Sequence, residues 1–245
     1  MGKRIAAASA ILFCIAAVSH AGLMDDIGGL IGGGKAPGVS GSVADDAKVV
    51  SGLKEALSVG TANTVAAASK VDGYFANQAI RIPVPEKVRK VAEVLGRVGY
   101  QKEVDDFVLS MNRAAEKAAP LAKAHFVEAI RAMTFEDARK ILDGGDTAAT
   151  DYFRGKTRKQ LYDEFRPVVS ASMDEVGVTH SYKNMVGKYA ALPLAGKTGS
   201  VDLDHHVTTK ALDGLFLVLG QEEKKIRTDP AARVTDLLKD VFGRK

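Results

Sequence analysis

The stretch DLDHHVTTKALDGLFLVLGQEEKKIRTDP, residues 202–230, decides the fold class. Within it Leu215, Phe216, Leu217, Val218 and Leu219 are apolar in unbroken succession. Five consecutive helical positions point all the way round the cylinder, so such a helix must be wrapped by others. The ends of the stretch fit a helix too. Asp202 and Asp204 stand at its start and Lys224, Lys225 and Arg227 at its finish, the polarity that the helix dipole favours. Asp229-Pro230 then reads as an N-cap with proline in the first turn of a further helix. Val234, Leu237, Leu238, Val241 and Phe242 come after it at i, i+3, i+4, i+7 and i+8, one apolar stripe.

The rest of the chain repeats the same period. Val49, Leu53, Ala56 and Leu57 make one stripe, followed by a run of small residues from Thr61 to Ser69. Ile80 to Pro85 is the one extended piece, because each proline pushes the residue before it out of the α region. Pro85 and Pro120 each begin a helical stripe, and Val104, Phe107, Val108, Met111 and Ala115 make another between them. Thr134 and Asp137 have the spacing of a capping box, and Asp146 is placed to cap the helix after Gly144-Gly145. Leu161, Phe165, Val168, Val169 and Val176 run through Pro167, which is expected to kink or split their helix. Tyr182, Met185, Val186 and Tyr189 complete the set before a glycine-rich connector at Gly196 to Gly199. These readings predict a single all-α domain over residues 43–245 with roughly eight to ten helices, a long central C-terminal helix and one short extended segment near 80–85.

The N-terminus reads as a leader. Lys3 and Arg4 precede the apolar run Ile5 to Val18, and Ser19-His20-Ala21 is a small-x-small cleavage site, so residues 1–21 are expected to be a signal peptide. The apolar run is shorter than the roughly 20 residues that span a bilayer, so membrane contact is expected only through that transient leader. Residues 22–42 are glycine-rich and read as a flexible tether. The only cysteine, Cys14, lies inside the leader, with Phe13 too bulky for a lipid-attachment signal. The mature chain is therefore expected in the periplasm or outside the cell, without disulfide, thiol nucleophile or thiolate metal site. Losing Lys3 and Arg4 lowers the basic residues from 34 to 32 against 30 acidic ones. With no basic block among them, nucleic acid is not an expected partner.

Four motifs point to a family. They are KALDGLF at 210–216, EEKKIR at 222–227 with Asp229-Pro230 after it, SMNRAAE at 110–116 and GGDTAATDYF at 144–153. Together they resemble an uncharacterised bacterial family, domain of unknown function 4197, over about Ser51 to Phe242. The resemblance implies an exported helical protein and no particular activity. One position departs from the family pattern, His206 standing where tyrosine is common.

Several residue groups are candidates for chemistry. Ser51 and Lys54, Ser110 and Asn112, and Lys197-Thr198-Gly199 match the S-x-x-K, S-x-N and K-T-G elements of serine acyl-enzymes in order. That chemistry requires K-T-G on a strand of an antiparallel sheet, and a helical chain provides none. Gly29 to Lys35 nearly spells a phosphate loop, but Ala36 stands where Ser or Thr would hold magnesium. Asp202, Asp204 and His206 are the weak candidates for a metal, Asp202 and His206 sharing a helical face at i, i+4. His125, beside an apolar stripe, reads as a packed histidine. Asp213 lies in the most apolar helix, and because a buried carboxylate is costly unless paired, it either faces water or meets an Arg or Lys of another helix. Arg113 and Arg154 are its candidate partners, and the three together are the candidate ligand- or partner-binding residues. No cofactor is expected. The leading functional expectation is a non-enzymatic module that binds an apolar small molecule or a protein of the cell envelope; the alternative is an enzyme, either of the serine type or built around Asp213.

Overall fold

In the computed structural model the described residues are 40–193, 195–196 and 199–229. The leader, most of the tether, Cys14, Lys197 and the stripe from Val234 to Phe242 lie outside them. Eight α-helices and two 3₁₀ turns run through the described residues, with no β-strand among them. Helix α1 (Ser40–Ser69) leads through an irregular loop and a 3₁₀ turn (Glu86–Val88) into α2 (Arg89–Arg97). Then come α3 (Gln101–Ala118), a 3₁₀ turn at Ala119–Leu121, α4 (Ala122–Ala132) and α5 (Phe135–Asp143). The described residues close with α6 (Ala148–Glu175), α7 (Val178–Ala190) and α8 (Leu203–Thr228). Helix α1 starts at Ser40, so the last residues of the segment read as tether are helical. None of the described helices is long and apolar enough to cross a membrane.

Helix α8 holds the central place that its sequence predicts. It packs against α1, α3 and α6, and its Phe216 ring meets Phe126 of α4 at 6.2 Å. Leu212, Leu215 and Phe216 have no exposed surface, and Val218 and Leu219 are buried. Its enclosure is not complete, because Leu217 is 42 % exposed. Lys210, Asp213, Leu217, Gln221 and Lys224 recur every three or four residues along one exposed edge. Packed helices cover three sides of α8, and this stripe is the remainder.

Local expectations meet two corrections. The capping box at α5 forms, with Asp137 N–H donating to Thr134 Oγ1 at 3.1 Å and Thr134 N–H to Asp137 Oδ2 at 3.1 Å. At α6, by contrast, Asp146 does not cap; it pairs with Lys224 at 3.2 Å, and the cap comes from Glu223 of α8. Pro167 neither ends nor splits α6, which is one helix from Ala148 to Glu175. Both Pro167 and Asp163, whose carbonyl the proline leaves without its N–H, lie on the exposed side. The extended piece pairs with no strand among the described residues; Ile82 is bonded by the Asn112 side chain, and the Arg81 N–H donates to the Asn77 carbonyl at 2.8 Å. Gly99 (φ 90°) and Gly177 (φ 76°) take the left-handed turns that lead into α3 and α7.

Gly214 lets the loop after α1 rest directly on α8. A Cβ at this position would lie 2.9 Å from Tyr74 Cε1 and 3.0 Å from Ile80 Cβ. Alanine in mid-helix is normally better than glycine by about 1 kcal/mol. Neither obstacle can swing away, since Ile80 Cβ rides on the backbone and Tyr74 is tethered by its hydroxyl. Gly214→Ala is therefore expected to destabilise the domain by about 1–2 kcal/mol, overpacking outweighing propensity. A urea midpoint at or above that of the wild type would contradict this.

Candidate functional site

The family-like motifs meet as joints between helices. On α3, Asn112 and Glu116 extend the apolar face of Val108 in steps of one turn, and both are buried. Asn112 Oδ1 accepts from the Ile82 N–H at 2.8 Å, and its Nδ2 donates to the carbonyls of Ile82 at 3.0 Å and Val108 at 2.8 Å. One amide thus satisfies both backbone groups of Ile82, as a neighbouring strand would. Glu116 Oε1 accepts from the N–H groups of Tyr74 at 3.1 Å and Phe75 at 3.2 Å, while Oε2 pairs with Arg113 at 2.6 Å. Arg113 also reaches Asp72 at 2.7 Å, a residue in the left-handed region with φ 66°. Burial, and secondarily the Glu116 charge, raise the Tyr74 phenol far above its usual range. It stays protonated and donates to the Ala211 carbonyl of α8 at 2.7 Å. The loop is thereby bolted to α3 and α8 at once.

A second joint closes the other end of α8. Glu223 is 6 % exposed, and its carboxylate accepts from the N–H groups of Ala149 and Thr150 and from the Thr150 hydroxyl, each at 2.8 Å. These are orphan donors in the first turn of α6, where the helix dipole also favours an anion. Arg227, one turn along α8, binds the same carboxylate at 2.9 Å and donates to the Ile141 carbonyl at the end of α5 at 2.7 Å. Three helices are locked by one buried ion pair. Both Glu116 and Glu223 interrupt apolar stripes at helical spacing, a sign in the sequence of burial, but their partners lie far away along the chain.

The candidate residues are not gathered into one place. Asp213 is on the exposed edge of α8, and its partner is Arg158 at 2.8 Å, which corrects the expected pairing with Arg113 or Arg154. Arg154 lies nearby, its guanidinium 5.4 Å from the Phe216 ring, so Asp213 and Arg154 share the α6–α8 edge. Arg113 belongs to the separate joint with Asp72 and Glu116. Because Asp213 and Arg158 are 47 % and 37 % exposed, solvent screens the pair. Asp213→Ala is expected to change stability by no more than about 1 kcal/mol, well below a buried pair. A thermal melt showing a loss several times larger would refute this.

Ser51 is exposed on α1, whereas Ser110 and Asn112 are buried in α3 with their polar groups bonded internally. His125, nearly buried, pairs with Glu164 of α6 at 2.8 Å. At the start of α8, Asp202 caps through the His205 N–H at 2.9 Å and pairs with Arg166 at 3.1 Å. The His205 ring meets the Tyr162 hydroxyl at 2.7 Å. His206 Nε2 donates to the Pro83 carbonyl at 3.0 Å. Burial lowers the His206 pKa, so protonation below the ordinary imidazole range works against the folded state. The metal candidates Asp202 and His206 thus point to different partners, and no group of three or more His, Cys, Asp or Glu among the described residues is placed to hold a metal.

The surface of the described residues includes two concave places of note. A crevice of about 20 Å³ lies between α1 and α8, lined by Leu53, Leu57, Leu219 and Ile226 with Glu223 and Arg227 at its edge. A wider groove of about 300 Å³ runs between α1 and α5, lined by Val49, Val50, Phe135, Arg139, Leu142 and Asp143.

A helical bundle built round the nearly enclosed helix α8, with the buried Asn112, Glu116 and Glu223 spent on joints between elements, is the class that this architecture defines. The chain belongs to the family described as Protein of unknown function (DUF4197), whose model matches residues 43–243. Comparison with curated proteins and with solved structures finds no match.

Proposed function

We propose that this chain is an exported, non-enzymatic helical module that acts by binding a protein of the cell envelope. The observation that carries this reading is the use made of the motif side chains. Asn112, Glu116 and Glu223, three of the buried polar residues of the motifs, spend their hydrogen-bonding groups inside the fold. A catalytic carboxylate or amide must instead keep a face open to substrate. Carriage of an apolar molecule is the weaker of the two expected activities. The crevice beside α8 has room for about one water, whereas small-molecule sites run to several hundred Å³, and the groove between α1 and α5 that has such a volume is bordered by Arg139 and Asp143, which do not suit an apolar molecule.

Export is part of the proposal and rests on the leader read at residues 1–21. The mature protein is expected to begin at Gly22, and intact-mass analysis checks this. Detection of an uncleaved start, or of lipid on Cys14, would refute it. The binding activity is tested with photo-crosslinking residues placed singly at Val94, Val98 and Leu217, which are large, apolar and exposed. A discrete protein adduct from envelope fractions is the expected result. An apolar molecule that co-purifies at one per chain would favour carriage. Labelling of Ser51 by a fluorescent penicillin, lost in Ser51→Ala, would establish the enzyme.

A further inference from the structure

We propose that the exposed face of α2 docks on a bilayer surface rich in anionic phospholipid. Helix α2 buries Val91, Ala92 and Leu95 and turns a second stripe outward. Lys90, Val94, Arg97 and Val98 make that stripe, at i, i+4, i+7 and i+8, and all four are exposed. Val94 is 36 % exposed, and Val98, in the turn that ends the helix, 50 %. No described element covers these two valines.

Charge says what does. Arg89 meets Glu86 at 2.9 Å and Glu93 at 3.7 Å, so both acids of this segment are already matched. Lys90 and Arg97 pair with no carboxylate among the described residues. Lys188 of α7 adds a third cation, its Nζ 5.1 Å from the ring of Tyr100, just past the end of α2. Cations therefore flank the exposed valines along the whole stripe. Such side chains lay their stems against an apolar layer and hold their charged heads among phosphates.

The shape and composition of the face favour lipid over a protein. Neither concave place described above is lined by α2. Protein-binding patches are rich in aromatic side chains and poor in lysine; this stripe has no aromatic residue, and lysines stand at both its ends. No described helix is long and apolar enough to cross a membrane, so the attachment is a reversible one at the surface. Two valines insert little, and the cations supply most of the attraction, each strengthening binding about fivefold. The protein partner proposed above is met elsewhere, Leu217 on α8 being the exposed apolar residue left for it.

Vesicle flotation tests the proposal, using the chain from Gly22 onward, which holds all the described residues. The protein should float with vesicles of equal parts phosphatidylglycerol and phosphatidylcholine, and not with phosphatidylcholine alone. Raising the salt from about 0.05 M to about 0.5 M should release it. Lys90→Glu with Arg97→Glu should weaken binding about 25-fold or more, since two attractions are lost. Val94→Ser with Val98→Ser leaves the charge unchanged and should weaken it severalfold; this pair decides the matter if the charge reversals fail to fold. Lys156→Glu with Lys159→Glu, the same change of net charge on α6, should weaken it far less. Equal floating with both vesicle types, or a loss as large in the α6 pair as in the α2 pair, would overturn the proposal. So would vesicles left unbound while a crosslinker at Val94 captures a protein, which would give this face to a protein partner.

Discussion

Glu223→Ala should lower the unfolding free energy by about 3–5 kcal/mol, the cost of stranding one partner of a buried ion pair. The substitution leaves Arg227, 11 % exposed at its side chain, without the carboxylate it binds at 2.9 Å. It also uncaps α6, since the Ala149 and Thr150 N–H groups both donate to that carboxylate. Domains of this kind hold about 5–15 kcal/mol in total, so the variant should be poorly soluble or quickly degraded. Glu223→Gln separates the two effects. The amide still offers an acceptor to the start of α6 but no charge to Arg227, so its loss should fall between wild type and alanine. Urea denaturation of the three proteins measures this, and a midpoint unchanged in Glu223→Ala would show that the joint contributes nothing.

For Phe216→Ala the expected loss is also about 3–5 kcal/mol, from the cavity left by a phenylalanine in a packed core. Phe216 is fully buried and lies edge-on to Phe126, which in turn meets Phe153 at 5.4 Å. Emptying this position removes one end of a chain of rings that joins α4, α6 and α8. Leu217→Ala on the same helix is the control: with its side chain at the exposed edge, it should cost much less. Comparable thermal melts for the two variants would mean that α8 is not anchored by its aromatic face.

Periodicity carried much of the fold. The apolar stripes placed the helices of the described residues, and the five-residue run at 215–219 placed α8 at the centre, because burial of a helix face needs no knowledge of what covers it. The capping box at Thr134 was equally legible, since both of its partners lie within one turn. The split, one of the two outcomes expected at Pro167, does not occur, because proline's cost depends on whether the freed carbonyl can reach solvent, and that is a property of the packed helix.

Pairings across the chain were decided by the tertiary structure alone. An acid within an apolar helix can be seen in the sequence, but not which residue satisfies it. The sequence left open whether Asp213 faces water or meets a cation of another helix; it does both, because its position falls on the stripe of α8 that no described neighbour covers. The start of α6 is capped by Glu223, 73 or 74 residues further on, in place of Asp146 beside it. Tyr74, Asn112 and Glu116 converge on a loop with no periodic signal of its own. Local sequence sets which faces are apolar, because helical spacing is a short-range property. A buried charge is matched only when distant helices come together, since its partner is chosen by position in space.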